Sequence, residues 1–186
     1  SFERQALIPV PDYFSSGAAT PEGMPIPVGK TPGGLKALVT LPACGAVTLF
    51  PKAPPLSVCA SVTPHQDGYL LENRYIRAMV NFRGEIISYI LRESGREFAD
   101  APLNHFRMFK DVPRLYDAWD IDSNYIEQEV DAASDIHVQL YSSGIEAAVR
   151  VTGVLGHSPF SQIIRLVADA RRLEFETEID WRELHR

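Results

Sequence analysis

Residues 173–181 read LEFETEIDW, with an apolar side chain or threonine at every second position and carboxylates between them. This alternation is the pattern of a β-strand, in which successive side chains point to opposite faces of a sheet. Like charges in a regular row are typical of a solvent-exposed sheet face, so we do not assign a calcium site or an acid/base array to Glu174, Glu176, Glu178 and Asp180. We expect neutralising neighbours at Arg171, Arg172 and Arg182.

A period of two also runs through the sequence that precedes this strand. Two hairpins are predicted, Leu71–Phe82 with Glu85–Leu91 and Asp135–Tyr141 with Gly144–Val154, followed by a strand at Ser161–Val167. Gly84 lies between the strands of the first hairpin, where it can adopt the positive φ of a tight turn. No window shows a helical period. We therefore predict an all-β fold, an antiparallel β-sandwich that is nearly free of helix and holds hairpins 71–91 and 136–154 together.

The first third of the chain differs in composition from the rest. Most of the 14 prolines lie there, whereas charged residues are concentrated after Gln66. Short apolar runs separated by Pro and Gly predict small strands at residues 6–10, 35–41 and 46–50. Pro51 to Pro55 should be extended and linker-like. We place a boundary near Thr63 to Gly68 and predict two units, a small β unit at residues 1–66 and a larger one at 67–186.

Charge, hydropathy and cysteine content exclude several classes of protein. The net charge of −6 argues against a nucleic-acid partner, and no apolar run approaches the roughly 18 residues that span a bilayer. Cys44 and Cys59 have neither zinc nor disulfide-framework spacing, and we interpret both as buried small hydrophobes that could form one bridge. His65 and Asp67 supply only two possible metal ligands, so no metal site is predicted. The sequence has no Asn-x-Ser/Thr acceptor, which favours a cytoplasmic location.

The segment Arg114 to Asp122 is the densest cluster of aromatic and acidic side chains in the chain. Read as extended backbone, it buries Trp119 beneath a small acidic surface. Asp120 and Asp122 would be roughly 6–7 Å apart, and paired carboxylates of glycosidases are about 5–9.5 Å apart. Any acidic pair two residues apart meets that spacing, so no catalytic residue is assigned. The alternative is a buried Trp flanked by solvated Asp residues that shape a loop.

Five motifs follow one another in a characteristic order: LENRYIR at 71–77, GEIIS at 84–88, SGRE at 94–97, RLYDAWDID at 114–122 and RLEFETEIDWRE at 172–183. In this order they resemble the C-terminal β region of the family 38 α-mannosidases, most closely their bacterial and cytosolic or vacuolar branch. The resemblance covers about residues 70–183, and the first sixty residues match only loosely. The resemblance implies a strongly curved β-supersandwich preceded by a smaller β-domain. This chain would hold the end of the small domain and the opening part of the large one, as its end directly after a strand suggests.

The resemblance also implies a function. These enzymes are zinc-dependent retaining glycoside hydrolases whose nucleophile, acid/base and zinc ligands belong to an N-terminal α/β domain. We therefore expect this chain to be a non-catalytic part of an α-mannosidase, without zinc of its own, that supports the preceding catalytic domain. The best candidates for contact with an α-mannoside at the rim of the sugar site are Tyr116, Asp117, Trp119, Asp120 and Asp122.

Another class of function stays open at this point. The chain could instead be a stand-alone carbohydrate-binding or protein-interaction β-sandwich module, which would need an exposed aromatic platform and a complete set of strands. An enzyme part should show unpaired sheet edges, through which it could also form oligomers.

Overall fold

Antiparallel strands make up most of the chain in the computed structural model, which describes residues 3–51, 59–113, 115, 119, 121–130 and 133–184. Within these ranges helix is limited to two short 3-10 turns, Asp12–Phe14 and Ser123–Glu127. The prediction of an all-β, nearly helix-free fold is confirmed.

The N-terminal region folds into a small three-stranded sheet and a short ribbon. The sheet has the order β1-β5-β4, and the ribbon pairs β2 with β3. The strands are β1 (Arg4–Pro9), β2 (Ala18–Ala19), β3 (Pro25–Ile26), β4 (Val28–Thr31) and β5 (Gly34–Leu41). The strand predicted at 46–50 is wrong, since only Phe50 forms a bridge, with Ala19. From this apolar run, Leu49 instead packs against the small core of Phe14, Ala18 and Leu35.

A five-stranded meander follows, in the order β10-β9-β8-β7-β6. Its strands are β6 (Ser61–His65), β7 (Gly68–Glu72), β8 (Ile76–Asn81), β9 (Ile86–Leu91) and β10 (Arg96–Glu97). Gly84 has a φ of 75° between β8 and β9, so the predicted turn is confirmed. The composition of the chain changes near residues 66–67, which form the turn between β6 and β7. These two strands pair along their whole length. The division into units 1–66 and 67–186 stays a prediction.

The single strand predicted at 71–82 is wrong, because the backbone breaks after Glu72. Asn73 is only 4% exposed and forms four hydrogen bonds. Its side-chain oxygen accepts from the amides of Tyr75 and Ile76, at 2.8 Å each. Its amide nitrogen donates to the carbonyls of Val167 at 2.9 Å and Ala170 at 2.8 Å. Asn73 therefore closes the turn between β7 and β8 and joins it to a distant part of the chain.

Four long strands form the second large sheet, in the order β13-β14-β15-β16. They are β13 (Ala133–Ser142), β14 (Glu146–Leu155), β15 (Ser158–Val167) and β16 (Leu173–Ile179), and the β13–β14 pair confirms the second hairpin. The strand that alternation predicted at 173–181 is present as β16. β16 ends at Ile179, and its apolar row is largely uncovered, since Phe175 is 47% exposed and Ile179 is 42% exposed. β16 is also an edge strand, with a hydrogen-bonded neighbour on one side only.

Arginines pair with Glu174, Glu176 and Asp180 of the acidic row, and two of the three predicted arginines are among them. Arg172 binds Glu174 at 2.7 Å, and Arg182 binds Asp180. Arg171 instead binds Glu93 at 2.8 Å, and Arg165 of the neighbouring strand binds Glu176 at 3.2 Å.

The five-stranded and four-stranded sheets share one hydrophobic core and so form a β-sandwich. Fully buried side chains come from both sheets, including Leu71, Ile76, Val80, Val149, Ile164 and Leu166. A bridge between Ala60 and Gly144 ties the first strand of one sheet to the turn of the other. The N-terminal sheet rests on the same assembly, with Leu38 packed against Ile145, Val167 and Ala170.

The prediction that Cys44 and Cys59 are buried is wrong. Both are exposed and neither forms a disulfide. Cys44 lies in a turn with a φ of 51°, where the chain runs along the surface.

Candidate functional site

The acidic segment lies in the chain between two short strands that pair with each other, and we call this stretch, residues 110–128, the 110–128 loop. The strands are β11 (Met108–Phe109) and β12 (Glu129–Val130), which pair as a two-stranded ribbon. Arg107 donates two hydrogen bonds to the Glu129 carboxylate, at 2.9 and 2.6 Å. Phe109 meets Tyr125 edge-on at 5.3 Å between ring centroids. These contacts close the base of the 110–128 loop.

The structure places two of the five predicted rim residues. Tyr116, Asp117 and Asp120 lie outside the described residues. Trp119 is 92% exposed, so the prediction of a buried indole is wrong. The alternation argument assumed a strand within a sheet, whereas Trp119 lies in a loop with no sheet partner. Asp122 is partly buried and precedes the 3-10 turn Ser123–Glu127, where its backbone carbonyl accepts from the Tyr125 amide at 3.0 Å.

The loop also exposes several large apolar side chains besides the indole. They are Val112, Leu115, Ile121 and Ile126, each more than half exposed. Together with Trp119 they give the loop an apolar surface available to a ligand or to another part of a protein.

A cleft of about 520 Å³ lies at the base of the 110–128 loop. We call it the Glu85 cleft. It is open to solvent and bounded by the turn between β8 and β9, the segment before β11, the ribbon strand β12 and the start of β13. Its polar lining comes from Arg83, Glu85, Asn104, His105, Glu129 and Ser134, and its apolar lining from Phe106, Val130, Ala133 and Ile136.

Glu85 is the centre of the polar lining. It is 8% exposed, and its two carboxylate oxygens face different partners. One accepts from the side chain of Asn81 at 2.8 Å, and the other lies 2.7 Å from His105 Nδ1. Arg83 approaches the second oxygen at 3.7 Å. Asn81 also accepts from the backbone amides of Arg83 and Glu85, so one side chain organises both the turn and the carboxylate.

A second network joins the cleft to the four-stranded sheet. Asn104 has a φ of 60° and donates to the Gly84 carbonyl at 2.9 Å and to the Gln162 side chain at 2.7 Å. Gln162 is 3% exposed and donates to Thr177 at 2.9 Å. The polar groups of the cleft are therefore anchored to β15 and β16 of the sandwich.

The two carboxylates of the cleft are held in their charged form. Burial alone would raise the pKa of Glu85, but hydrogen bonds from Asn81 and His105 and the charges of Arg83 and His105 outweigh it and lower that pKa. The hydrogen bonds from Arg107 lower the pKa of Glu129.

We expect Glu85→Gln to lower stability at neutral pH and to weaken the acid dependence of stability. Because the folded-state pKa lies below its ordinary value of 4.5, the contribution of Glu85 is present above pH 4.5 and is lost as pH falls through the lowered value. The free energy of unfolding of the two proteins, measured by urea titration at several pH values, should therefore converge in acid. Parallel curves would contradict this assignment.

Sequence reasoning missed Glu85, Asn104, His105 and Gln162 as members of a site. One signal was present in the sequence: a glutamate directly follows the turn glycine Gly84, at the start of a strand that is otherwise apolar. No local pattern predicts the pairing of residues 85 and 105, because it depends on how the connection between β10 and β11 crosses the sheet.

The described residues do not fit a zinc ion. No group of three or more His, Cys, Asp or Glu side chains comes together in the part of the chain that the structure describes. His65 Nδ1 lies 3.4 Å from an Asp67 oxygen, and both side chains are exposed. Among the described residues, no third potential metal ligand joins this pair. Within the same ranges, no helix is long and apolar enough to cross a membrane.

Comparison with known proteins gives consistent matches. Residues 71–186 match the model of the glycosyl hydrolases family 38 C-terminal domain. Alpha-mannosidase 2C1 of Homo sapiens is 30% identical over 173 residues, which cover 83% of this chain and 16% of the human protein. Alpha-mannosidase 2C1 of Mus musculus is 30% identical over 166 residues, covering 81% of this chain and 15% of the mouse protein. The chain thus spans about a sixth of the length of these curated relatives.

Proposed function

The chain belongs to glycosyl hydrolase family 38, and from this premise we propose that it is a C-terminal part of an α-mannosidase that hydrolyses terminal α-mannosides with retention. The match to the C-terminal domain of the family is the observation that carries this proposal. The similarity to two alpha-mannosidases supports it.

Within such an enzyme this part has a supporting role, and the zinc-dependent chemistry resides in a catalytic α/β domain of the same protein. The catalytic domain is then the main partner of the sandwich. An α-mannoside is the ligand of the whole enzyme, which we place in the cytoplasm.

The 186-residue chain alone should show no hydrolysis of aryl α-mannosides and no stoichiometric zinc. The physical reason is that a zinc site needs several His, Cys or carboxylate ligands in one place. Release of the aryl group and zinc content should both be measured on purified chain, with the full-length enzyme as the positive control. Turnover that persists through purification, or one zinc per chain, would contradict the supporting role.

The 110–128 loop is the part of the sandwich that we propose reaches the rim of the sugar site. Trp119 supports this, because an exposed indole offers a flat apolar face on which a sugar ring can stack. Carboxylates nearby in sequence, Asp117, Asp120 and Asp122, can accept hydrogen bonds from hydroxyl groups. Tyr116 adds a second aromatic ring with a polar tip.

In the full-length enzyme, Trp119→Ala should lower kcat/KM for α-mannosides by about tenfold, which corresponds to roughly 1.4 kcal/mol of lost transition-state stabilisation. The same change should leave the melting temperature of the 186-residue chain nearly unaltered, because the side chain is 92% exposed. At least one of Asp120→Asn and Asp122→Asn should also lower kcat/KM.

The matched control is Trp181→Ala, which removes the other tryptophan of the chain, at a half-exposed position that follows β16. Its activity per folded enzyme should equal that of the parent protein. A drop in melting temperature of many degrees for the Asp variants, with unchanged kinetics per folded enzyme, would show that the carboxylates are structural and end the rim proposal.

A stand-alone carbohydrate-binding module is the second candidate function, and the exposed Trp119 is the observation that favours it. The two candidates differ in one measurable property. An enzyme part requires turnover of α-mannosides by the full-length protein, whereas a binding module requires none.

A further inference from the structure

In the described part of the chain the two large sheets have four edge strands, and three of these carry features that disfavour pairing with a further strand. β10 is only two residues long, and β6 contains Pro64, which has no N–H to donate. β13 has two register shifts against β14, after Ser134 and after Leu140. β16 has none of these three features, because its seven residues pair with β15 in one unbroken register.

The backbone groups on the outer side of β16 follow from its pairing with β15. The Asp180 amide donates to the Pro159 carbonyl at 3.0 Å. Antiparallel strands alternate between residue pairs that exchange hydrogen bonds and pairs that do not, so the even-numbered residues of β16 bond to β15 in this register. The odd-numbered amides point away from β15, and no strand lies beside them in the described residues. They include the amides of Phe175, Thr177 and Ile179.

The side chains of these odd-numbered residues lie on the core face of the sheet, and the core is open along this edge. Phe175 and Ile179 are the cross-strand neighbours of Ile164 and Phe160, which are both buried. Side chains of such pairs share one face of a sheet. Phe175 and Ile179 are nevertheless both more than 40% exposed. A hollow of about 450 Å³ takes its apolar lining from Ile86, Tyr89, Leu103, Leu173 and Phe175. An additional strand beside β16 would cover this apolar surface.

The acidic row on the other face of β16 limits which strand can pair there. Neighbouring arginines neutralise the two ends of the row. In the middle, Arg165 is shared between Glu176, at 3.2 Å, and the fully buried Glu146, at 2.9 Å. Within the described residues Glu178 forms no ion pair. A strand that carries Lys or Arg on this face would supply the missing positive charge, because opposite charges on neighbouring strands stabilise a sheet.

A second copy of this chain does not meet that requirement. If two copies of β16 pair antiparallel with their apolar faces on the same side, carboxylates stand opposite carboxylates. A shift of one residue brings carboxylates opposite apolar side chains on both faces. The row therefore favours a strand of different sequence over a copy of β16.

We propose that the free edge of β16 binds one further β-strand of the same full-length protein, a strand in which Lys or Arg alternates with apolar residues. Its apolar side chains cover the open core, and its basic side chains pair with Glu176 and Glu178. The source of the strand rests on the proposed function and on the length of the relatives, of which the chain spans about a sixth. The position and chemistry of the contact rest on β16 itself.

The experiment compares hydrogen exchange, resolved to single amides by mass spectrometry, in the 186-residue chain and in the full-length protein. The amides of Phe175, Thr177 and Ile179 should exchange quickly in the chain alone. In the full-length protein they should exchange at least about tenfold more slowly, at every protein concentration. The even-numbered amides of β16 are the internal control, because their bonds to β15 are present in both proteins.

Two variants of the full-length protein displace the further strand by different routes. Glu178→Lys reverses the charge that attracts it, and Ile179→Pro removes an outward N–H while leaving the hydrogen bonds to β15 in place. In each variant the amides of Phe175 and Thr177 should exchange at the rate seen in the isolated chain. Even-numbered amides that stay slow show that β16 itself is still folded. The matched control is Asp12→Lys, the same reversal of charge at an exposed N-terminal position, which should leave exchange in β16 unchanged.

Equal exchange of the outward amides in the isolated chain and the full-length protein would overturn the proposal. Protection that appears in the isolated chain as its concentration rises would identify a second copy as the occupant and would overturn it as well. An equal effect of Asp12→Lys and Glu178→Lys would refute the basic character of the partner. Hydrolysis of α-mannosides by the full-length protein tests the proposed function separately. Turnover without protection of β16 would remove the edge contact alone, and protection without turnover would remove the enzyme role alone.

Discussion

Replacing Asn73 with alanine should destabilise the chain by about 3–5 kcal/mol. The substitution removes four hydrogen bonds from a residue that is 4% exposed. Two backbone amides and two carbonyls would then lose their partner in a place that water reaches poorly. Each unsatisfied buried group costs about 1–3 kcal/mol, although relaxation of the turn recovers part of the sum. Urea unfolding followed by tryptophan fluorescence or circular dichroism measures the change.

Two further variants show which half of the side chain matters. Asn73→Asp keeps the acceptor for Tyr75 and Ile76 but places a second oxygen against the carbonyls of Val167 and Ala170, so it should also destabilise strongly. Asn124→Ala, at an exposed position of the 3-10 turn, should change stability by less than about 0.5 kcal/mol. A loss at Asn73 no larger than that at Asn124 would show that the buried hydrogen bonds are dispensable.

Gly68→Ala should be of comparable severity, with a loss of about 3 kcal/mol or more. Gly68 opens β7 with a φ of 150°, and a Cβ there would overlap the Val80 carbonyl oxygen and lie 2.8 Å from Asn81 Cα. Both obstacles are backbone atoms of the paired strand β8, so relief requires the ladder to open. Disruption would reach Asn81 and, through it, Glu85.

The control for Gly68 is Gly95→Ala. Gly95 also has a positive φ, 66°, but a Cβ added there meets no atom within 4 Å. It should therefore cost only the backbone strain, about 1 kcal/mol. Equal losses at the two glycines would mean that the φ angle, and not the contact with β8, sets the cost.

Local pattern was sufficient to predict most of the strands. Alternation identified β13, β14, β15 and β16, and the glycine at residue 84 identified the turn between β8 and β9, because period and turn chemistry are properties of neighbouring residues. The break at Asn73 was missed because its cause is distant: half of the hydrogen bonds of that side chain reach residues 167 and 170. Alternation likewise cannot say whether an apolar row is covered, so the exposure of Phe175 and Ile179 on the edge strand β16 was not predicted.

The site was less predictable than the fold. The acidic segment stood out in composition, but the burial of Trp119 was inferred from a strand geometry, and that side chain is exposed. The Glu85 cleft was missed because its members come from four separate stretches of chain. A motif search compares neighbours in sequence, and the contact between Glu85 and His105 is made only when the sheets fold.

The short ribbon of β11 and β12 has a consequence for how such a domain can diversify. The two ends of the 110–128 loop are joined by the Arg107–Glu129 ion pair and by the pairing of residues 108–109 with residues 129–130. The segment between these ends can therefore change in length or sequence while the strands of the sandwich keep their places. A segment that is closed at its base in this way can vary independently of the core that carries it.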